Sequence, residues 1–255
     1  MTEHVRVERE GDVLAITLAR PERRNAITVA MYAALADAIE SAANDDGLRL
    51  ITLRGEGQDF TAGNDLGDFM AELPRDGSDI PVWRLLRALA ANQVPIVASV
   101  HGNAVGIGTT MLFHCDLVVA EESTRFLMPF VDLGLVPEAA SSLLLPRLAG
   151  RRKAARYLLL GEPFSAEEAL DFGLVSHVAP AGQLETVTGK VVGALRAKPK
   201  EALRLTQRLL RKGQSDDLLQ RMELENGHFS ERLTSDEVRE AITRFFASRT
   251  DAKKS

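Results

Sequence analysis

Two glycine-bearing turns, Phe60-Thr61-Ala62-Gly63-Asn64-Asp65-Leu66 and His101-Gly102-Asn103-Ala104-Val105-Gly106-Ile107-Gly108, constrain this chain more than any other feature. Each follows an apolar run suited to a buried strand, Leu50 to Leu53 before the first and Pro95 to Val100 before the second. Each also opens a predicted helix. Strand, tight turn and helix in that order are the unit of a layered α/β domain. Glycine removes the side chain that would keep a ligand away from main-chain N–H groups. Two such turns brought together can aim two donors at one oxygen, an oxyanion hole that stabilises charge developing on a carbonyl.

The surrounding pattern continues the alternation. Val5 to Val7 and Val13 to Leu18 flank Glu10-Gly11-Asp12 and read as a hairpin. Thr28 to Ala43 has helical spacing, and Leu48 to Arg54 reads as a strand. From Leu66 to Pro81 periodicity fails, and Pro74, Gly77 and Pro81 predict a mobile loop bordering the ligand. Trp83 to Ala91 is a predicted helix, Val94 to Val100 a buried strand and Gly108 to His114 a helix. Asp116 to Ala120 and Arg125 to Met128 read as extended. Pro137 is placed to open the next helix, since its missing N–H costs nothing at the first position. Ser165-Ala166-Glu167-Glu168 is a capping box, and Gly173 ends the helix it starts.

Past Pro199 the character changes. Glu201 to Lys212, Asp216 to Leu233 and Glu237 to Ser248 are helical patterns with no strand between them, and Thr234-Ser235-Asp236-Glu237 caps the last. The expected organisation is an α/β core over residues 1–198 and a helical region over 199–255. The apolar stripes of that region must pack on its own core or on another subunit.

Composition narrows the function classes. The chain has 255 residues and a net charge of −5, which argues against nucleic acid as a partner. No apolar run approaches the ~20 residues needed to span a bilayer, and Met1-Thr2-Glu3-His4 does not begin a signal peptide. Cys115 is the only cysteine. A cytoplasmic protein without a membrane partner is expected. No His/Asp/Glu spacing suggests a metal site. Gly102, Gly106 and Gly108 also match the glycine spacing of short-chain dehydrogenases. That reading fails because neither Tyr32 nor Tyr157 has a lysine four residues on.

The order of motifs resembles the crotonase superfamily, the enoyl-CoA hydratases and isomerases. The likeness runs through Arg20-Pro21-Glu22-Arg23-Arg24-Asn25-Ala26, both glycine turns, Cys115 to Ala120, Leu133-Gly134-Leu135-Val136-Pro137 and Leu160 to Ala166. The resemblance implies a crotonase-like spiral of ββα units with a C-terminal helical trimerisation region. It also implies a homotrimer or dimer of trimers, and an acyl-CoA thioester substrate. Coenzyme A would arrive as part of that substrate, with no separate cofactor. By the same resemblance, the N–H groups of Ala62 and Ile107 form the oxyanion hole. Family members usually carry glycine where Ile107 stands, so its side chain should narrow the pocket. Arg23, Arg24 and Ala26 would meet the phosphates, ribose or pantetheine, and Phe60, Ala62, Asp65 and Leu66 would frame the adenine.

The acids decide the reaction. Hydratases of the family use two glutamates, whose positions are occupied here by Thr110 and Phe130. Glu138 instead follows Pro137, where the peroxisomal-type Δ3,Δ2-enoyl-CoA isomerases, which this chain resembles most, keep a single acid. A 1,3-proton shift needs only one base, and its pKa should lie above the ordinary value of about 4.3 for glutamate. Apolar neighbours Phe130, Leu133 and Val136 should raise it by desolvation. The expected activity is therefore that isomerisation, within fatty-acid β-oxidation. Hydration, ring-epoxide isomerisation, dehalogenation of another CoA ester, or a non-catalytic binding role are the alternatives. Asp65 is expected to cap a helix, Asp132 to make a structural hydrogen bond, His101 and His114 to line the pocket or lie buried, and Cys115 to be inert core.

Overall fold

The hairpin forms as predicted: β1 (Val5–Glu10) and β2 (Val13–Leu18) pair antiparallel, with Val5 opposite Leu18 and Glu10 opposite Val13. The computed structural model of the chain describes residues 2–71, 81–212 and 215–251. After the hairpin comes α1 (Val29–Ala43), whose first turn is capped by Thr28 accepting from the Met31 amide at 3.3 Å. Next are β3 (Leu50–Gly55), α2 (Leu66–Ala71), α3 (Pro81–Ala91), β4 (Ile96–Val100), β5 (Asn103–Val105) and the short α4 (Ile107–Thr110). They lead to β6 (Leu117–Glu121), β7 (Arg125–Leu127), α5 (Ser141–Leu159), β8 (Phe164–Ser165), α6 (Ala166–Asp171), β9 (His177–Ala179) and α7 (Leu184–Arg196). Three helices follow without a strand: α8 (Lys200–Arg211), α9 (Ser215–Leu233) and α10 (Asp236–Asp251).

Two sheets result among the described residues. The larger has the order β1-β2-β3-β4-β6-β9, parallel except for the hairpin pair. The smaller has the order β5-β7-β8. Strand β4 is buried along its whole length because both faces are covered. Ile96, Ala98 and Val100 face the main core, while Val97 joins Val119 and Ala179 in a smaller cluster against Leu184, Val187 and Val191 of α7. That period of two is the pleat of the strand. The capping box at Ser165 and Glu168 is present in both directions, and Gly173 follows the helix with φ +88°. This α/β architecture is the one expected.

Several expectations need correction. Where periodicity fails, residues 66–71 still form α2, the helix that the first turn and the Asp65 cap were expected to start, with Asp65 Oδ1 accepting the Asp68 amide at 3.3 Å. Residues 72–80, the remainder of the expected loop, lie outside the described residues. The predicted helix at 108–114 divides into α4 and a 3₁₀ turn at Met111–His114. Pro137 does not open a helix; α5 begins only at Ser141. Ala139 and Ala140 intervene with φ +60° and +56°, a left-handed conformation that interrupts helical hydrogen bonding. Strands β8 and β9 and helix α7 escaped the sequence pattern, the strands because they are two and three residues long. No helix among the described residues is long and apolar enough to cross a membrane.

The C-terminal helices are docked by directed polar contacts as well as by apolar packing. The Arg204 guanidinium of α8 donates to Asp46 Oδ1, Asp45 O and Leu48 O, each at 3.0 Å, and is almost wholly buried. Removing it would take the guanidinium donor from Leu48 O and leave Asp45 O with the Leu48 amide at 3.1 Å. Arg204→Met is expected to lower unfolding stability by about 2 kcal/mol, seen as a lower urea midpoint at unchanged slope.

Candidate active site

The two glycine turns meet main chain to main chain. Thr61 and Ala104 form a parallel bridge, with the Thr61 amide donating to Asn103 O at 3.0 Å and the Val105 amide to Thr61 O at 3.1 Å. Asp59, almost wholly buried, adds a second tie. Its Oδ1 accepts from the Asn103 amide at 2.8 Å and from Asn103 Nδ2 at 2.6 Å, and its Oδ2 from Arg24 Nε at 2.7 Å. These donors hold the Asp59 carboxyl below its usual range despite the opposing effect of burial. Gly63 has φ +85°, and a Cβ there would lie 2.7 Å from Val105 O. Gly102 has φ +59°, and a Cβ there would collide with Gln58 O. Each turn therefore needs a glycine to approach the other.

A cavity of about 670 Å³ opens over this junction. The first-turn residues Ala62 to Gly67 and the second-turn residues Val105 to Ile107 line one side. Phe130, Leu133, Phe229 and Ile242 supply apolar wall, and Arg23, Arg24 and Arg244 supply positive charge. Arg23, Arg24, Ala26, Ala62, Asp65, Leu66 and Ile107 line this one cavity together. Phe60 does not. Its side chain is fully buried in the core and does not line the cavity.

Ala62 also needs correction as a donor. Its N–H is committed to Arg24 O at 2.9 Å. Two residues on, the chain is pinned to Ile27, with the Ile27 amide donating to Gly63 O at 2.8 Å and the Asp65 amide to Ile27 O at 2.9 Å. In a planar trans peptide the N–H points opposite to the C=O, so the Asn64 N–H faces away from Ile27. It meets no acceptor among the described residues, and neither does the N–H of Ile107 at the start of α4. The Asn64 and Ile107 amides are therefore free to meet a ligand oxygen.

Glu138 does not line the open cavity. It is buried to 1% exposure, and Thr110 Oγ1 donates to its Oε1 at 3.4 Å. Thr110 lies three residues after Ile107, so the carboxyl is tied to the helix that presents the Ile107 amide. Burial, and then the negative charge of Glu225, push the Glu138 carboxyl up to about 8, against the lowering effect of Thr110. The desolvation expected from the sequence has the right direction. Tyr32 lies close by, its hydroxyl donating to Asn64 Oδ1, and burial and the Glu138 charge raise it well above the usual tyrosine value.

Three buried polar groups support the turn carrying Glu138. Ser141 Oγ and Ser141 N donate to Glu138 O at 2.6 and 2.9 Å. His114 Nε2 donates to Ala139 O at 2.9 Å; burial outweighs that bond, which favours the charged ring, and so lowers the pKa to about 4 and keeps the ring neutral. Glu225 of α9 accepts from the amides of Ala140 at 2.6 Å and Ser142 at 3.0 Å. Sequence reasoning missed Glu225. The available signal was a carboxylate on the stripe Met222, Glu225, Phe229 and Leu233, whose members are all buried.

The remaining candidates divide as follows. Asp65 caps α2 and is paired with Arg20 Nη1 at 2.7 Å, which holds its carboxyl below the usual range. Asp132 lines the cavity and is exposed, with no hydrogen bond among the described residues. His101 Nε2 donates to Gly57 O at 2.9 Å. Cys115 is only partly buried at the edge of the core, and burial raises its thiol to about 12, which keeps it unreactive. Among the described residues, no group of three or more His, Cys, Asp or Glu side chains is placed to hold a metal.

Residues 8–253 match the enoyl-CoA hydratase/isomerase family. The chain belongs to that family. It is 32% identical to the 1,2-epoxyphenylacetyl-CoA isomerase of Escherichia coli K12, over 98% of each chain. It is 34% identical to rat enoyl-CoA delta isomerase 2, over 94% of this chain and 62% of that protein. The crystal structure of an enoyl-CoA hydratase/isomerase from Pseudoalteromonas atlantica T6c superposes with a TM-score of 0.91 at 39% identity, over 96% of this chain and 98% of that one. This family member has a crotonase fold.

Burying the Glu138 carboxyl has a pH signature. Its folded pKa lies above the ordinary value, so its contribution is fully present at acid pH and is lost as pH rises from about 4.5 through about 8. Glu138→Gln cannot ionise and avoids that loss. The stability of Glu138→Gln relative to the parent is expected to grow by roughly 2–4 kcal/mol between pH 5 and pH 8. Urea unfolding at the two pH values measures it.

Proposed function

We propose that this family member is a Δ3,Δ2-enoyl-CoA isomerase using Glu138 as its single base. The carrying observation is the buried Glu138 carboxyl, raised to about 8 beside α4, with Thr110 and Phe130 where the two-glutamate hydratases keep their acids. Glu138 takes the proton from C2 of a 3-enoyl thioester, and the C3–C4 π electrons delocalise with the new carbanion into the thioester carbonyl. The resulting dienolate oxygen is held by the Asn64 and Ile107 amides. Protonated Glu138 then returns the proton to C4, the double bond settles between C2 and C3, and no atom is gained or lost. Two preorganised donors in a water-poor site are worth far more than in bulk water. A base pKa of about 8 brings proton affinity closer to that of the carbon acid than an ordinary glutamate would.

Coenzyme A would lie along Arg23, Arg24 and Arg244, with the acyl chain among Phe130, Leu133 and Phe229. In this reading CoA comes with the substrate and the protein works as a trimer or dimer of trimers. A second reading is ring-epoxide isomerisation, favoured by the match to the E. coli 1,2-epoxyphenylacetyl-CoA isomerase over 98% of each chain.

Absorbance of the conjugated thioester separates the outcomes. With 3-enoyl-CoA the conjugated product should appear, and with 2-enoyl-CoA added water should consume little. Glu138→Gln should lower kcat by at least ~10³-fold while leaving binding of a CoA ester nearly unchanged, as for loss of a transition-state group. Robust hydration surviving that change would overturn the proposal, and turnover of an aryl epoxide thioester alone would favour the second reading. For the parent enzyme, kcat/KM should rise with pH to a plateau above about 8, because only ionised Glu138 accepts the proton.

A further inference from the structure

The strained turn after Glu138 is held from a distance of more than eighty residues in sequence. Ala139 and Ala140 both adopt left-handed φ values, +60° and +56°, which L-residues avoid and achiral glycine tolerates. Consecutive left-handed alanines persist only where the surroundings impose them. Here the surroundings are Glu225, whose Oε2 accepts the Ala140 amide at 2.6 Å and whose Oε1 accepts the Ser142 amide at 3.0 Å. Both carboxylate oxygens are thus used on main-chain donors flanking the start of α5. Glu225 is 5% exposed, on an otherwise apolar stripe of α9. A leucine there would pack the same stripe without the cost of burying a carboxyl.

We infer that Glu225 is a positioning residue for the Glu138 base: it fixes the turn that aims the carboxyl and places a second negative charge beside it. The inference rests on Glu138 being the base. It divides the work of Glu225 into two separable parts, geometry through the two amides and field through the charge. Burial raises the carboxyl of Glu225, while Ser142, the Ala140 amide and Arg221 favour its ionised form. The Glu225 charge is in turn one of the causes holding the Glu138 proton. The other groups facing the pair are Thr110 from α4, Tyr32 from α1 and neutral His114, which holds the Ala139 carbonyl. None supplies a positive charge to Glu138. A neutral residue at 225 therefore makes Glu138 a weaker base, whereas a shorter acid keeps the charge and loses the reach.

Two variants of the full chain test this, each first checked for a folded, cooperatively unfolding protein. Glu225→Gln should lower kcat for the 3-enoyl thioester by about tenfold to a hundredfold, as misplacement of a catalytic group does. It should also move the acid limb of kcat/KM down by about one pH unit. Glu225→Asp should lower kcat similarly and leave the limb in place. Adding Ala140→Gly to Glu225→Gln should restore part of kcat without moving the limb back, because glycine adopts the turn unaided. A uniform loss of rate with an unmoved limb in Glu225→Gln, or parent-like kinetics in either variant, would overturn the inference. If Glu225→Gln does not fold, Glu225→Asp alone decides by its rate. Infrared titration of the Glu138 carboxyl, identified as the band missing in Glu138→Gln, gives the shift without turnover. Failure of the isomerase reading, with Glu138→Gln still active, is then distinguishable from failure of the Glu225 role.

Discussion

Where Gly63 passes Val105, and Gly102 passes Gln58, there is no room for a side chain, and the backbones of the two turns bond to each other through Thr61 and Ala104. Everything at the site follows from that approach. Adjacent parallel strands β3 and β4 end side by side, so the turns that follow them start from a common edge. Asp59 then ties both turns and Arg24 together through one buried carboxylate. With so many main-chain groups engaged, the amides left over point where the scaffold directs them. Rigid donors need no rearrangement when charge develops on a substrate oxygen, which is the source of their catalytic value.

The second feature is a pair of carboxyls kept out of water. Glu138 and Glu225 are both nearly inaccessible, and burial raises both. Burying a charge is expensive unless it is compensated, and the two are compensated differently. Glu225 receives two amide donors, while Glu138 receives only a long contact from Thr110. One acid is thereby made a structural acceptor and the other a group ready to bind a proton. Different donor environments of this kind are how one fold assigns different roles to the same side chain.

The helices after Pro199 belong to this arrangement as much as the sheet does. Helix α9 brings Glu225 to the Glu138 turn and Phe229 to the cavity wall, where its ring meets Trp83 of α3 edge-on at 5.5 Å. Helix α10 adds Ile242 and Arg244 to the same wall. Arg23 and Arg24, just after β2, thus share one cavity with Ile242 and Arg244 near the other end of the described chain.

The apolar runs, the hairpin, the capping box at Ser165 and the two glycine turns were legible because each is a local property of the chain. Period-two alternation and a Ser/Glu pair three apart act within a few residues of themselves. The placement of Arg23, Arg24, Asp65 and Ile107 around one cavity was legible through the resemblance. By itself, the sequence determined an α/β chain with its strong strands and helices, and through the resemblance it showed that both hydratase glutamates are missing. Only the tertiary structure decided that the Ala62 amide is spent on Arg24 while Asn64 is available, that Phe60 is core, and that Pro137 precedes a left-handed turn rather than a helix. It alone revealed Glu225 beside that turn. Those outcomes depend on which distant backbone group reaches a donor first and on how much water remains around a carboxyl. Neither is a property of residues adjacent in the chain.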